Sequence, residues 1–388
     1  MKEEFPILKQ GLVYLDTAAS AQKPTAVIEA IKQFYEENYS NVHRGMHHLA
    51  EQATEMYEGA RKSAARFLNS PSEKSIIFTK NTTESINLLA STLPIKKGDK
   101  IIITELEHHS NLVPWQQRAL KEGATLKFIP HKEGELDMRA AEQTIRQGCT
   151  ILAVGHVSNV TGSVQDIKKL ASLAHEQGSI IVVDGAQAAP HLKIDVQDLD
   201  VDAYAFSGHK VYGPTGIGVL YAKEELLKKL PPYQYGGEMI NEVKKEVTTW
   251  ASIPQKFEAG TPPIAQAIGL AAALDFIDSH RDALLEEDAV IRYAFQELKK
   301  LPYIKIIGPE KRKALISFTV KDVHPHDVAD YLATKNICIR AGHHCTQVLH
   351  DTLGLSGTCR ASFGIYSTKD DVDKLVKALK QCTEVFHV

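Results

Sequence analysis

The stretch Asp202-Ala-Tyr-Ala-Phe-Ser-Gly-His-Lys210 leads an apolar run into a lysine, and the glycine-rich turn Gly213–Gly218 follows it. The run predicts a buried strand, and the small residues beside Lys210 let the backbone approach a ligand closely. A lysine amine at the end of a strand can form a Schiff base with an aldehyde cofactor. Most His-Lys pairs in loops are solvated surface pairs, so the rest of the chain must decide between these two interpretations.

Similar apolar runs alternate with helical periodicity along the chain up to Ala222. Seven strands are predicted, at Ser75–Thr79, Lys100–Thr104, Thr125–Ile129, Thr150–Val157, Ser179–Asp184, Asp202–Ser207 and Gly216–Ala222. Helices are predicted between most of them, at Thr83–Thr92, Leu112–Glu122, Asp137–Gln147 and Val164–Gln177. Because βαβ alternation covers both faces of a parallel sheet with helices, we predict an α/β fold with a mainly parallel seven-stranded sheet. Ligands in this architecture bind at the carboxyl ends of the strands.

The alternation stops between Pro231 and Thr261, where Gly, Pro and polar residues predict a loop or hairpin region. Two long helices follow and end near Lys300. A smaller α/β unit comes next, with strands at Ala314–Val320, Ile337–Arg340 and Thr358–Phe363 and helices at His326–Thr334 and Lys369–Thr383. We predict a large domain over residues 16–262, a small domain formed by residues 1–15 and 263–388, and a cleft between them.

Composition excludes several classes of protein. The 388 residues include 45 Lys and Arg and 48 Asp and Glu, which gives a net charge of −3. The two signs are interspersed along the chain, which argues against a nucleic-acid partner. No apolar run reaches the roughly 18 to 20 residues of a membrane span, and the first residues lack a signal peptide's apolar stretch. The five cysteines are widely spaced and form no CxxC pair, so a disulfide framework is not indicated. We therefore predict a cytoplasmic protein with no membrane partner.

Polar residues that follow the predicted strands suit a pyridoxal cofactor. Asp184 lies 26 residues before Lys210, and a carboxylate paired with a pyridine nitrogen keeps that nitrogen protonated. Gln187 could donate to the ring hydroxyl, and His108 could lie flat on the ring. Phosphate donors would come from the start of a helix and from the lysine turn, at Thr82, Thr83, Ser207 and His209.

The small domain contributes an arginine and a cysteine. Alternation along Thr358–Phe363 puts Arg360 and Ser362 on one face, so Arg360 can point into the cleft, where a guanidinium suits an α-carboxylate. Cys345 follows His343 and His344, and Arg340 is nearby. These polar surroundings favour the thiolate that a nucleophile needs.

Four motifs occur together and in order: Asp184-Gly-Ala-Gln187, Ser207-Gly-His-Lys210, Phe257-Glu-Ala-Gly-Thr261 and Arg340-Ala-Gly-His-His-Cys345. With Tyr14-Leu-Asp-Thr-Ala-Ala19 and Arg360-Ala-Ser-Phe363, they resemble the class-V aminotransferases, a fold-type I group of pyridoxal-phosphate enzymes. Within that group the chain is most similar to the SufS-like (group II) cysteine desulfurases. The resemblance covers nearly the whole chain.

The resemblance implies residue roles and a reaction. Lys210 would hold pyridoxal 5'-phosphate, and Cys345, Lys210 and His108 would be catalytic. The implied cofactor-binding residues are Lys210, Asp184, Gln187, His108, Thr82, Thr83, Ser207, His209, Thr261 and Asn159, and the implied substrate-binding residues are Arg360, Asn159, Ala19, His43 and Arg340. Thr261 would reach the phosphate in the neighbouring subunit, which implies a homodimer.

In the implied reaction, L-cysteine becomes L-alanine and its sulfur becomes a persulfide on Cys345. The sulfur would pass to a SufE-like or SufU-like acceptor protein for iron-sulfur cluster assembly. Only 15 positions separate Cys345 from Arg360, so this short tether predicts that the acceptor must come to the cysteine.

Some residues depart from the family's pattern, and other functions are possible. Asn81 and Ser85 replace common Gly or Ala residues near the phosphate turn, and Thr346 and Val348 differ after the cysteine. The alternatives are a selenocysteine lyase or other class-V lyase, a Cys-His hydrolase, and a metal-binding protein using the histidines next to Cys345. No second spaced ligand pair supports the metal site, and we predict none.

Overall fold

The computed structural model describes residues 1–43 and 45–387, so Val388, the last residue of the predicted small domain, lies outside the described residues. The helices are α1 (Thr25–Gln33), α2 (His48–Phe67), α3 (Thr82–Thr92), α4 (Val113–Glu122), α5 (Met138–Arg146), α6 (Ile167–His175), α7 (Glu224–Lys229), α8 (Ile264–Ser279), α9 (Arg281–Lys299), α10 (Pro325–Ala333), α11 (Gln347–Leu353) and α12 (Lys369–Phe386). The strands are β1 (Val13–Tyr14), β2 (Ile76–Thr79), β3 (Lys100–Thr104), β4 (Thr125–Ile129), β5 (His131–Lys132), β6 (Glu135–Leu136), β7 (Ile151–Gly155), β8 (Ile180–Asp184), β9 (Ala203–Ser207), β10 (Gly218–Ala222), β11 (Ile240–Val243), β12 (Thr248–Trp250), β13 (Ile304–Ile307), β14 (Leu315–Val320), β15 (Ile337–Cys338), β16 (Arg340–Gly342) and β17 (Thr358–Ser362).

The largest sheet has seven strands in the order β2-β10-β9-β8-β7-β3-β4. Strands β4, β3, β7, β8 and β9 pair in parallel, whereas β10 is antiparallel to both of its neighbours. The link from β9 to β10 is too short for a crossover helix, so the chain can only turn back antiparallel. The predicted α/β fold with a mainly parallel seven-stranded sheet is confirmed.

The strands of this sheet are buried on both faces, which explains their nearly continuous apolar sequences. Within β3, for example, Ile102 packs into one apolar core, while Ile101 and Ile103 pack into the core on the opposite face. Helices α2 and α8 cover the first of these faces. Both layers of side chains therefore hold the carboxyl ends of the strands in place.

The later part of the chain forms a second sheet with the order β13-β14-β17-β16. Its core takes side chains from α9, α10 and α12, and from Val13 and Leu15 near the amino terminus. Helix α8 instead packs with the core of the large sheet. The domain boundaries after residues 15 and 262 stay a prediction.

The predicted strand Ile337–Arg340 is two strands in the structure. Strand β15 pairs in parallel with β1, and β16 pairs antiparallel with β17. The two pairings use different partners, so the chain bends after Cys338. The bend leads β16 towards the large sheet and places the residues after Gly342 above its carboxyl edge.

Candidate active site

A cavity of about 220 Å³ lies at the carboxyl ends of the large sheet's strands. Strands β3 and β7 are neighbours there although the chain forms β4 between them, and such a switch in strand order opens a crevice. Most of the predicted site residues line this cavity: Ala19, Thr82, Thr83, His108, Asn159, Asp184, Gln187, Ser207, His209, Lys210, Arg340, Cys345 and Arg360.

Lys210 and Asp184 are the central charged pair of the cavity. Desolvation lowers the pKa of Lys210 to about 8; Asp184 opposes this shift, and Arg360 and Arg340 add to it. Desolvation raises the pKa of Asp184, against the Ala186 amide that donates to its Oδ1 at 2.9 Å and against Lys210. The amine therefore reaches its neutral, nucleophilic form at a pH far below that of an ordinary lysine.

Gly185 lets the chain turn directly after Asp184. The ring of Tyr204 packs against it so closely that a Cβ there would lie 2.0 Å from the ring. No larger residue fits at this position, and the close approach holds Asp184 at the end of β8. Gln187, two residues further on, donates from Nε2 to the carbonyl of Ala18 at 2.8 Å.

His108 is a neutral imidazole with a defined tautomer. Its Nδ1 accepts the backbone N–H of Ser110 at 3.1 Å, so the ring proton sits on Nε2. Desolvation, followed by Lys210, lowers the pKa of His108 to about 3. The ring is held by the short turn that follows β3, and it presents a neutral aromatic face to the cavity.

Glu107, beside His108, is a buried carboxylate that the sequence analysis did not identify. Thr104 and Asn111 donate to it at 2.6 and 2.7 Å, and the Gly155 amide donates at 3.1 Å. Burial raises the pKa of Glu107 to about 7. The carboxylate links the ends of β3 and β7 at the crevice.

The start of helix α3 and the end of β9 meet at a cluster of hydroxyl groups. The Ser207 hydroxyl accepts the Thr82 amide at 2.9 Å and lies 2.8 Å from the Thr82 hydroxyl, while Thr83 pairs with Ser110 at 2.7 Å. The positive end of the helix dipole points at this corner, which suits an anion.

The two departures near this corner have structural roles. Asn81 caps α3 by accepting the Glu84 amide at 3.0 Å, and the Ser85 hydroxyl pairs with Thr79 at 2.8 Å. Both side chains therefore stabilise the first turn of α3. His209 lies nearby, and desolvation and Lys210 lower its pKa to about 4.

Arg360 is a buried guanidinium with unused donors. Its Nη1 donates to the carbonyl of Asn159 at 3.0 Å, and its Nη2 lies 3.6 Å from Oδ1 of Asp16. Its Nε has no hydrogen-bond partner among the described residues, and neither does Oδ1 of Asp16. The side chain is 3% exposed, and burial lowers the pKa of Arg360 to about 10. Such an arrangement is ready to bind a carboxylate through two parallel hydrogen bonds.

The exposed Cys345 sits on a loop between β16 and α11. Asn159 holds this loop from below: its Nδ2 donates to the carbonyl of His344 at 2.7 Å, and its Oδ1 accepts the Thr346 hydroxyl at 3.1 Å. Thr346, a departure from the family's pattern, is thus part of the loop's support. Desolvation and Arg360 lower the pKa of His344 to about 2, so this neutral ring cannot favour a thiolate by charge. Lys210 and Arg360 place positive charge near Cys345.

Two predicted site residues lie outside this cavity. His43 pairs through Nε2 with Glu58 at 2.9 Å and packs its ring edge-on against Tyr57. Thr261 lines a separate cavity of about 150 Å³ beside Glu258. The chain therefore does not bring either residue to its own Lys210.

Three residues that shape the site escaped the sequence analysis: Asp16, Glu107 and His109. Asp16 lies inside a quoted motif, and Glu107 and His109 flank His108, but the partners of all three come from distant parts of the chain. Within residues 1–43 and 45–387, no three His, Cys, Asp or Glu side chains could hold a metal ion, and no helix is long and apolar enough to cross a membrane.

Comparison with known proteins agrees with this geometry. The model of the class-V aminotransferase family matches residues 13–375. A probable cysteine desulfurase from Halalkalibacterium halodurans is 49% identical over 397 residues, which cover 100% of this chain and 98% of the relative. One from Staphylococcus epidermidis is also 49% identical, with 99% and 96% covered.

Solved structures agree as well. The cysteine desulfurase CsdA of Escherichia coli, in an S-sulfonic acid form, superposes with a TM-score of 0.93 at 43% identity, covering 99% of this chain and 97% of its own. The cysteine desulfurase of Thermococcus onnurineus, in its apo form, has a TM-score of 0.95 at 39% identity with the same coverage. The chain therefore belongs to the class-V aminotransferase family of pyridoxal phosphate-dependent enzymes, among its cysteine desulfurases.

Proposed function

We propose that this protein removes the sulfur of L-cysteine, releases L-alanine and carries the sulfur as a persulfide on Cys345. One observation supports this most directly: a single cavity contains Lys210, Asp184, Arg360 and an exposed cysteine. Lys210 and Asp184 suit the cofactor, and Arg360 suits the carboxylate of an amino acid. The exposed cysteine can accept the substrate's sulfur.

The donor set fits pyridoxal phosphate. An amine with a pKa near 8 can bond to the aldehyde, and the buried Asp184 can pair with a protonated ring nitrogen. His108 would lie against the ring and Gln187 beside its oxygen. Thr82, Thr83, Ser207 and His209 would hold the phosphate at the positive end of α3.

The chain's own residues then orient the substrate. Arg360 would bind its carboxylate with Nε and Nη2, which have hydrogens to spare, while Asn159 holds the opposite edge of the guanidinium. Ala19 and Arg340 line the same cavity and would bound the substrate. Bound pyridoxal phosphate supplies the electron sink for breaking bonds at the substrate's α- and β-carbons. Lys210 Nζ, once free, would accept the α-proton.

Cys345 completes the reaction. Its Sγ, as thiolate, attacks the substrate sulfur, so an S–S bond forms as the C–S bond breaks and the persulfide stays on the protein. The loop is exposed but is held at several points, so the persulfide cannot travel far. A SufE-like or SufU-like acceptor would therefore have to dock over Cys345, and delivery to iron-sulfur cluster assembly would follow from that transfer.

The variant Cys345→Ala tests the assignment. After wild-type protein meets L-cysteine without an acceptor, mass spectrometry should find one extra sulfur atom on the Cys345 peptide, together with alanine. C345A should lose both the added mass and the transfer of sulfur to acceptors, while it keeps the visible absorbance of bound pyridoxal phosphate. Cys338→Ser is the matched control, because Cys338 is a partly exposed cysteine outside the cavity. Persulfide transfer by C345A would contradict the proposal.

We also infer that two copies of the chain form the working enzyme. His43 and Thr261 lie outside the cavity that contains Lys210 of the same chain. In a dimer, they could instead reach the Lys210 cavity of the second copy. Large apolar side chains are exposed along α1, α2 and the segment between them: Ile28, Tyr35, Tyr39, Met46 and Leu49, with Met46 96% exposed. Sedimentation should find a dimer, and Met46→Glu should weaken it. A monomer with full activity would contradict the inference.

The cytoplasm is the compartment we propose, since all five cysteines are free thiols in the structure. We further propose the division into a large domain, residues 16–262, and a small domain, residues 1–15 and 263–388. Separate apolar cores around the two sheets support a division into two domains, while α8 packs with the core of the large sheet.

A further inference from the structure

The loop that carries Cys345 has a strained backbone. His344 and Cys345 have φ angles of 51° and 57°, and Gly342 has a φ of 114°. Residues other than glycine rarely adopt this left-handed conformation, which persists only where neighbouring groups hold it. Two such residues in succession therefore need firm anchors. Asn159 provides two of them, at the carbonyl of His344 and the hydroxyl of Thr346, but it makes no bond to the backbone of Cys345 or of Gln347.

His109 supplies two further anchors, at the carbonyl of Cys345 and at the amide of Gln347. Its backbone N–H donates to the carbonyl of Cys345 at 2.7 Å. Its ring Nε2 accepts the backbone N–H of Gln347, the first residue of α11, at 3.1 Å. The two bonds bracket the cysteine and tie its loop to the turn that also carries His108.

The second bond requires a neutral imidazole. A backbone N–H can only donate, so Nε2 must have a free lone pair, and the ring proton must sit on Nδ1. A protonated ring has no acceptor and would release Gln347. The surroundings of His109 favour the neutral form: the neutral ring of His108 lies beside it, and the surface cavity that it lines with Arg118 and Lys121 has no acidic residue among its described lining. Desolvation and then His343 lower the pKa of His109.

We propose that neutral His109 is a positioning residue, which holds Cys345 over the cavity through the Cys345 carbonyl and the Gln347 amide. The proposal deepens the proposed function, since it assumes that Cys345 receives the sulfur. His109 need not touch substrate or cofactor. Protonation of His109 in mild acid would loosen the loop and slow transfer of sulfur to Cys345, without affecting how the substrate carboxylate is bound.

Two variants separate positioning from mere packing. His109→Leu keeps the bulk of the side chain and removes the acceptor. His109→Gln keeps an acceptor oxygen at about the reach of Nε2 but does not titrate. His326→Leu is the control, because His326 is an exposed histidine of α10 whose Nε2 lies close to Gly342 at the start of the same loop.

The first measurement is hydrogen exchange of the Gln347 amide in the cofactor-loaded protein, corrected for the intrinsic rate at each pH. We expect H109L to lower protection of this amide about three- to tenfold, as for the loss of one hydrogen bond, and H109Q to keep it within about twofold. Wild-type protection should fall in mild acid, and that of H109Q should not. Unchanged protection in H109L would overturn the proposal.

The second measurement is the rate of the first persulfide turnover against pH. At pH 8, H109L should be about three- to tenfold slower than wild type with an unchanged KM, and H109Q and H326L should match wild type. Because the pKa of His109 is lowered from its usual 6.5, wild type should slow more steeply than H109Q only at pH values below that. A full rate in H109L despite lost protection would overturn positioning. If no persulfide forms even in wild type, the proposed function fails, while hydrogen exchange still decides whether His109 holds the loop.

Discussion

Replacing Arg360 by lysine tests the substrate clamp while keeping its positive charge. In the structure the guanidinium donates one N–H, from Nη1, to the carbonyl of Asn159, and its Nε has no hydrogen-bond partner among the described residues. A carboxylate can therefore accept two parallel hydrogen bonds, from Nε and Nη2. A lysine ammonium has three donors at one point and no planar fork. One of them would go to the Asn159 carbonyl and another towards Asp16, so the substrate keeps one good bond at most.

The expected loss is one charge-assisted hydrogen bond. Such a bond contributes about 1.5 to 3 kcal/mol, which corresponds to a roughly 10- to 150-fold change in an equilibrium constant. Since the carboxylate is bound both before and during the reaction, we expect most of this change as a higher KM for L-cysteine and little change in kcat. The visible absorbance of pyridoxal phosphate should stay as in wild type.

The assay is steady-state release of alanine at several L-cysteine concentrations, with inhibition by added L-alanine measured in parallel. L-Alanine has the same carboxylate without the thiol, so its affinity for R360K should fall by the same factor as that of L-cysteine. Arg66→Lys is the control, because Arg66 is an exposed residue paired with Asp275. A kcat/KM within threefold of wild type, or an unchanged affinity for L-alanine, would refute the reasoning.

Three other results are expected. Lys210 reacts as a neutral amine and its pKa is lowered to about 8, so pyridoxal phosphate should bind to cofactor-free protein faster as pH rises from 7 to 9. A midpoint above pH 10 in the pH dependence of the binding rate, measured by stopped flow, would contradict this. Burial raises the pKa of Cys149 to about 11, so only about one Cys149 thiol in a thousand is ionised at pH 8. Limited treatment with iodoacetamide, followed by peptide mass mapping, should therefore find the exposed Cys345 labelled before Cys149. Arg61 is 1% exposed and binds both carboxylate oxygens of Glu258, at 2.7 and 2.9 Å. Arg61→Met would leave Glu258 without this partner, so it should lower the free energy of unfolding by about 3 to 5 kcal/mol in urea titrations. A loss below about 1 kcal/mol would show that the pair is dispensable.

The sheet was predictable because its signals are local. Runs buried on both faces are apolar throughout, and each predicted strand of the large sheet overlaps an observed one. Elements with little burial or short length gave no such signal: β13 is half-exposed, and α11 has seven residues. These were missed, because their pairing partners rather than their own composition stabilise them.

The roles of individual loop residues depended on contacts between distant segments. Thr346 was noted in the sequence only as a departure, yet its hydroxyl reaches Asn159, 187 positions earlier. His344 was expected to favour the thiolate, but burial makes it a neutral structural residue, held by Thr358. A pKa depends on desolvation and on neighbours in space, neither of which is visible in a short motif.

The sequence by itself determined the strand segments of the large sheet, the polar residues that follow those strands and the types of residue that perform the chemistry. Apolar periodicity and short motifs are properties of residues that are neighbours in the chain. Only the tertiary structure decided which residues share the cavity: it placed Arg360 and Cys345 with Lys210 and left His43 and Thr261 outside. It also brought His109 within hydrogen-bond distance of the Cys345 loop. The physical reason is that hydrogen bonds and desolvation act over a few ångströms in space, whatever the separation along the chain.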